Sequence, residues 1–349
     1  MCTQLASNAR VGVCCLDELG TWGTQLQKQG IPVVALHRRQ GFRPALGRQV
    51  AKVAEALRCS VLHCHQYSPY VYGRVAALWN PRLRIVYTEH GRLSDAKPSA
   101  KRRFVNPVLG RLPGVIVAVS HDLAFHMVSA GFPGSRIRVI HNGIVAGPPP
   151  SVEDRIRVRK ELGLGADIMV VGTIARLDPV KDLGTLVRGF SLLPRMQAGS
   201  KLVVIGDGPE RAALEEVVRQ QSCGDAVLFV GERSDARGLL PAFDIYANTS
   251  TTEGISITIL EAMSATLPVV ATRAGGTPEI LTDGETGMLV PPRSPELLAE
   301  ALGRLIDDPA TRAAMGSAGR QRVEEAFGFD RMVADYLRAY GPRFAAKES

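Results

Sequence analysis

Two carboxylates, Glu253 and Glu261, stand eight residues apart in the stretch Asn248–Glu279. A polar, Gly-containing turn (Thr251, Thr252, Gly254) separates Glu253 from a helix-period apolar run: Ile257, Ile259, Leu260, Ala262 and Met263. The pattern predicts a loop ending near Glu253 and a helix starting between Gly254 and Ser256. The first-turn N–H groups of such a helix have no partner within it and carry partial positive charge, which suits a phosphate. At roughly 1.5 Å per residue the two acids would lie about 12 Å apart, the order of the distance from ribose to sugar in a nucleoside diphosphate sugar. One carboxylate then accepts hydrogen bonds from ribose hydroxyls and the other from sugar hydroxyls, with the diphosphate over the helix start. An isolated E-x7-E is ordinarily two solvated glutamates, so this chemistry depends on what surrounds it.

The surroundings add four more turns of ligand type, each directly after an apolar run. Gly172–Lys181 (GTIARLDPVK) places Arg176 and Lys181 in a strand-to-helix turn, where two cations and a helix start together suit a diphosphate. Gly206-Asp207-Gly208-Pro209 is a tight turn whose glycines allow close approach of a ligand to backbone. Phe229-Val230-Gly231-Glu232 and Gly275-Gly276-Thr277-Pro278-Glu279 repeat the arrangement. Each alone is weak, since an R-x4-K turn is usually solvated and Asp207 suits a helix cap equally well. Five in one half of the chain are harder to assign to chance.

The elements that position these turns alternate. Arg10–Leu16, Ile31–Leu36, Val61–His65, Arg84–Thr88, Val115–Val119 and Arg138–Ile140 read as strands in the first half, with helix patterns at Leu46–Leu57 and Val71–Leu78. Gly147–Ser151 (GPPPS) breaks the pattern and is the candidate linker. Ile168–Ile174, Lys201–Ile205, Ala226–Val230, Ile245–Ala247 and Val269–Ala271 are the strands of the second half, with helices between them and at Pro295–Ile306, Ala310–Ala326 and Asp330–Tyr340. Such alternation predicts an α/β fold of two doubly wound parallel-sheet, Rossmann-like domains facing a cleft. Residues 1–147 form the first domain and 148–328 the second. Residues 329–349 are a C-terminal helix returning to the first.

Bulk properties fit this. With 349 residues, 45% apolar and 22% charged, the chain is long enough for two cores. No apolar run approaches the roughly 18 residues of a membrane span, and the start lacks the features of a signal peptide. Six cysteines, several in apolar runs, read as reduced thiols of a cytoplasmic protein. The net charge of +8 is uneven: up to Gly147 there are 19 Lys/Arg against 6 Asp/Glu, and the remainder is acidic. A basic first half suits a phosphorylated substrate or an anionic membrane surface, so a peripheral position at the inner face of the membrane is a further expectation. Nucleic acid is disfavoured by 5% aromatics and no recognition motif.

The second half resembles the donor domain of GT-B fold glycosyltransferases, specifically the retaining family 4. The matching residues are Gly172–Lys181, Val204–Pro209, Glu253–Met263 (EGISITILEAM) and Gly275–Pro292. Weaker matches in the first half are His63-x-His65, Thr88-Glu-His90-Gly91, Val119-Ser120 and Asn142-Gly143-Ile144. The resemblance implies that Arg176 and Lys181 neutralise the donor diphosphate as it leaves, Glu261 binds ribose and Glu253 contacts the transferred sugar. It also implies that the backbone of Gly254, Ile255 and Ser256 holds phosphate and sugar oxygens, that the base lies by the turns of Gly206, Gly208 and Gly231, and that His90 faces the reacting carbon. Members of this fold generally need no metal, and no Asp-x-Asp motif is present. The expected donor is a UDP-sugar in preference to a GDP-sugar, and the expected acceptor a glycan or lipid-linked acceptor in cell-surface polysaccharide synthesis.

The chain departs from the family at its start. MCTQLASNAR resembles the tail of the family's first helix, so the first strand, its Gly-Gly loop and most of that helix are expected to be lacking, about one strand–helix unit. This keeps open a non-catalytic nucleotide-sugar binding protein or inactive fragment, with a sugar-nucleotide epimerase of the same fold a further alternative. Ser256 replaces a commonly bulkier apolar residue. Cys59, His63, Cys64 and His65 look like a metal cluster, but strand alternation sends Cys64 away from both histidines, and no metal is expected there. His65 is equally a candidate for the acceptor side or for packing. His121 and His126 are expected to serve packing or surface, and Lys97–Arg103 either meets lipid phosphate or is a solvated loop.

Overall fold

In a computed structural model of the chain, residues 1–6, 9–92, 99–194 and 199–345 are described. Lys97 and Pro98 of the basic run therefore lie outside the described residues. The first half contains β1 (Val13–Cys15), β2 (Val33–Ala35), β3 (Val61–His65), β4 (Arg84–Glu89), β5 (Val115–Ala118) and β6 (Ile137–Val139). The second contains β7 (Val170–Ile174), β8 (Lys201–Ile205), β9 (Val227–Gly231), β10 (Ile245–Asn248), β11 (Val269–Thr272) and β12 (Met288–Val290). Every strand pair is parallel. A parallel sheet needs helices on both faces, and β5, β10 and β11 are accordingly buried along their whole length.

The six-stranded sheet of the second half runs β12-β11-β10-β7-β8-β9. The chain proceeds outward from β7 to β9, then returns to the other side of β7 with β10. The strand order thus reverses between β7 and β10, and a crevice opens at their carboxyl ends. One face packs Val171, Leu202 and Val270 against Phe190 and Leu302 of the helices Leu183–Ser191 and Pro295–Asp307. The other packs Val203, Tyr246 and Ala271 against Ile259 and Met263 of the helix Ile257–Ser264.

The first half differs from the single sheet that alternation suggested. Strands β3-β4-β5-β6 form one sheet, while β1 and β2 pair only with each other. The edges of β1 and β3 face a cavity of about 480 Å³ lined by Cys14, Val50, Val53, Leu57, Val61 and Leu62, among others. No described strand occupies it. Sequence periodicity finds each strand of the first half but cannot show which strand its edge meets.

The chain crosses between the domains twice at one place. Ile144 N donates to Phe327 O (2.9 Å) and Phe329 N to Ile144 O (2.9 Å). The returning helix Phe329–Tyr340 lies on the first-half sheet: Tyr340 Oη is 2.8 Å from His63 Nδ1, and Tyr336 Oη accepts from Thr88 Oγ1 at 3.2 Å. After the Pro-rich segment, Ser151 and Asp154 form a reciprocal cap on the helix Val152–Glu161. That helix is pinned by Arg159, whose side chain is 3% exposed and pairs with Asp244 at 2.8 Å. Removing one member of a buried pair strands the other charge. Asp244→Ala should therefore lower unfolding stability by about 3–5 kcal/mol in a denaturant titration.

Candidate functional site

The crevice between β7 and β10 collects the turns singled out in the sequence. After β7, Arg176 and Asp178 form a contact of 3.2 Å with the arginine side chain 72% exposed, and a 3₁₀ turn Pro179–Lys181 leads to Lys181. After β10, the loop Thr249–Gly254 is tied to that turn: Thr249 Oγ1 donates to Lys181 O (3.0 Å) and Thr251 N to Val180 O (2.8 Å). This tie brings Lys181 Nζ to 2.6 Å from Glu253 Oε1, with the glutamate side chain only 10% exposed. Ser250 Oγ (2.6 Å) and Asn248 Nδ2 (3.5 Å) also approach Glu253 Oε1. Neither residue was singled out in the sequence, although both lie within five positions of Glu253.

The helix Ile257–Ser264 follows with Ser256 at its N-cap. Glu253 lies outside this helix, so its separation from Glu261 is not the eight-residue helical rise that spacing suggested. Ser256 is buried and its Oγ lies 3.3 Å from Thr258 Oγ1, so it offers no side-chain cap. Glu261 is half-buried, and burial raises its carboxyl pKa while the charge of Arg237 pulls it back.

Backbone packs against backbone around Glu253. Gly275 has φ +54°, and a Cβ there would lie 2.0 Å from Glu253 O. At Gly254 a Cβ would fall 2.1 Å from His90 O of the other domain. No side chain fits at either point, so the Glu253 loop is wedged between the Gly275–Gly276 turn and the His90 loop. Gly206 (φ +132°) and Gly208 sit equally close to the backbone of Ala175 and Leu177, beneath the Arg176 turn. Gly231 (φ +84°) accepts through its carbonyl from Gly206 N at 2.8 Å. Two buried hydroxyls on these turns, Thr252 Oγ1 and Thr277 Oγ1, have no hydrogen-bond partner.

On the first domain, His90 follows β4, and His65 ends β3. Their rings stack with centroids 5.1 Å apart, and His65 Nδ1 lies 2.8 Å from His90 Nε2. His63 stands beside His65 at 4.0 Å, as alternation requires. Both His63 nitrogens are engaged, by Tyr340 and Thr88, so they are not turned to a metal. Burial, then the neighbouring His90, pushes the His65 pKa down to about 4, and burial lowers His90 as well.

Side chains also link the domains. Asn142 Nδ2 donates to Ile255 O at 3.2 Å. Glu279, at the end of the glycine turn, accepts from His121 N (2.9 Å) and Asp122 N (3.1 Å) and lies 2.9 Å from His141 Nε2. Burial raises its pKa, but the bonds from His141 and the two backbone amides outweigh this and leave it lowered. His121, His141 and Glu279 are, among the described residues, the group whose ligand atoms approach within 4.8 Å. Both oxygens of the glutamate there already accept from the amides of the helix start. No described helix is long and apolar enough to cross a membrane.

Two parallel-sheet domains, with a Lys–Glu pair at the switch point of one and a histidine loop of the other against it, have the architecture of the GT-B fold. Comparison with known proteins agrees. The family description "Glycosyl transferases group 1" matches residues 154–322 and "Glycosyltransferase Family 4" matches residues 1–146. The GDP-mannose-dependent alpha-(1-6)-phosphatidylinositol monomannoside mannosyltransferase of Mycobacterium tuberculosis is 30% identical over 78% of this chain and 76% of its own length. The N-acetyl-alpha-D-glucosaminyl L-malate synthase of Bacillus anthracis is 27% identical over 85% of this chain and 78% of its own. The structure of Anabaena Alr3699/HepE in complex with UDP and glucose superposes with a TM-score of 0.84 at 26% identity, over 93% of this chain and 91% of that one. The chain belongs to the family 4 glycosyltransferases and is a hexosyltransferase-type, nucleotide-sugar-dependent enzyme.

The lowered histidine pKa values have a definite sign. A histidine whose folded pKa lies below its unfolded value of about 6.5 binds its proton more readily unfolded, so stability is full above pH 6.5 and falls as pH drops towards 4. Imidazole NMR should show His65 neutral at pH 6.5, titrating only near pH 4, with His90 also shifted down. A ring titrating at the free value would contradict the packing of this pair.

Proposed function

We propose that the enzyme transfers a hexose, with retention of anomeric configuration, from a UDP-sugar to a glycan or lipid-linked acceptor of cell-surface polysaccharide. The Lys181–Glu253 pair, set at the strand-order reversal and facing the His90 loop, carries this reading. Lys181 and Arg176 take the diphosphate, whose charge grows as the glycosidic bond breaks, and stabilise it most when that charge is greatest. Glu253, held by Ser250 and Asn248, accepts hydroxyls of the sugar. The N–H groups of Gly254, Ile255 and Ser256 meet phosphate and sugar oxygens at the start of an eight-residue helix. Glu261 accepts the ribose hydroxyls, and the base lies along the turns of Gly206, Gly208 and Gly231. His90, neutral at pH 7, donates to or accepts from the sugar near the reacting carbon. No covalent carboxylate and no metal take part. UDP is favoured by the likeness to a protein solved with UDP and glucose, while the mycobacterial relative named for GDP-mannose keeps GDP in the comparison.

Calorimetry with a panel of sugar nucleotides tests the donor: UDP and one UDP-sugar should give heat, and GDP should compete weakly. No heat with any activated sugar would sink the proposal. With the donor in hand, Lys181→Ala and Glu253→Ala should each lower kcat by about two to four orders of magnitude while thermal unfolding stays cooperative. Glu261→Ala should weaken UDP binding by about ten- to a hundredfold, since charge-assisted hydrogen bonds are worth about 1.5–3 kcal/mol. Turnover should survive a chelator unchanged.

A further inference from the structure

A groove on the first domain takes no part in the donor site. It lies between the helices Tyr67–Trp79 and Ala100–Arg111, under the loop that follows β2, and encloses about 910 Å³. Val71, Val75, Val105 and Leu109 line its interior, with Phe42 and Leu78 at its mouth. Phe42 is 58% exposed and Leu78 79%. On the adjoining outward face of the helix Ala100–Arg111, Phe104 and Val108 stand one turn apart and are 86% and 65% exposed. Single exposed apolar residues need no explanation, but a contiguous set beside an apolar groove marks an interaction surface.

Charge says which kind. Arg38, Arg39, Arg74, Lys101 and Arg102 line the groove against one carboxylate, Asp17, which Arg38 already engages twice at 2.8 Å. Arg74 is spent internally on Pro113 O and the Tyr70 hydroxyl. Arg102 lies 4.2 Å over the Tyr67 ring. Arg39 and Lys101 remain at the mouth with no ion-pair partner among the described residues. Cations around protruding apolar side chains match a boundary at which phosphates lie above hydrocarbon: the cations reach the headgroups while the phenyl and branched side chains enter below them.

We propose that this face docks on an anionic phospholipid bilayer, with Phe104 and Val108 entering the acyl boundary and the groove open to a lipid chain. This rests on the transferase reading with a lipid-linked acceptor and names the surface that would present it. The groove reaches Tyr67, which begins the helix directly after the strand that His65 ends.

Vesicle co-sedimentation with the whole chain tests this without donor or acceptor, so its failure is distinct from a failure to bind UDP. Binding to phosphatidylcholine vesicles containing phosphatidylglycerol should exceed binding to phosphatidylcholine alone by about tenfold or more and fall with added salt. Phe104→Ser with Val108→Ser should lower the anionic-vesicle affinity about tenfold or more. Lys101→Gln should lower it several-fold and flatten the salt dependence. All three side chains are exposed, so UDP calorimetry and thermal unfolding of the variants should match the parent. Equal binding to neutral and anionic vesicles, or undiminished binding by the double variant, overturns the proposal.

Discussion

A carboxylate taken almost wholly out of water at the end of a strand sets the terms for the second domain. A cation and two neutral donors converge on one oxygen of Glu253 there, the partners that a carboxylate removed from water needs. Lys181 is 72 residues away in sequence, so the pair exists only if β7 and β10 are neighbours in register, as Val171 and Ile245 show them to be. The same constraint accounts for the glycines around it. A loop that must bring its carboxylate to a lysine on the next turn runs too close to other backbone for any Cβ, at Gly254 on one side and Gly275 on the other. The site is thus held by backbone contact more than by side-chain packing, which leaves the side chains of Arg176 and Glu261 partly free for a ligand.

The same close approach couples the two domains. Gly254 meets His90 O, Asn142 reaches Ile255 O, and Glu279 caps the helix that starts at His121. The apolar core follows suit, running from Tyr87 and Ile116 through Val119 and Ile144 to Ile255 and Ile259. The polar and backbone contacts among these are made by segments that follow strand ends, and the apolar core continues them into the sheets. The cleft is therefore bounded by the same short segments that bear its polar groups. Opening it would break hydrogen bonds at the site before disturbing either sheet.

Much of the frame was legible because buried parallel strands are unbroken apolar runs. Val61–His65 and Lys201–Ile205 fall at the residues their patterns gave, and the helix Ile257–Ser264 covers the apolar run from Ile257 to Met263. The misses have physical causes. The helix Gly20–Lys28 buries only Gly23 and exposes Trp22, so it has no apolar stripe to read. Seven of the ten residues of the helix Val152–Glu161 are charged, and its Ser151–Asp154 cap directly follows the prolines. Around the site, residue types were readable but partnerships were not. That Lys181 contacts Glu253, or that Glu279 closes a helix of the other domain, depends on chain segments more than 70 residues apart meeting in space.

Charge shows the same limit from another side. The first half is strongly basic, yet several of its cations serve the fold. Arg74 is 7% exposed and ties the helix Tyr67–Trp79 to the loop before β5. Arg84 donates to Ala339 O at the end of the returning helix, and Arg136 to the carbonyls of Leu112 and Gly114. These guanidinium groups donate to main-chain carbonyls at the ends of helices and in turns. Arg74 is enclosed by the fold, while Arg84 and Arg136 are exposed and commit only part of their guanidinium groups to it. What attracts an anion is the remainder, chiefly where a cation is both exposed and next to apolar surface, because there the two kinds of attraction act on the same ligand. Counting by sequence merges these populations. Only the placement of each side chain separates the arginines that hold the first domain together from those that face outward.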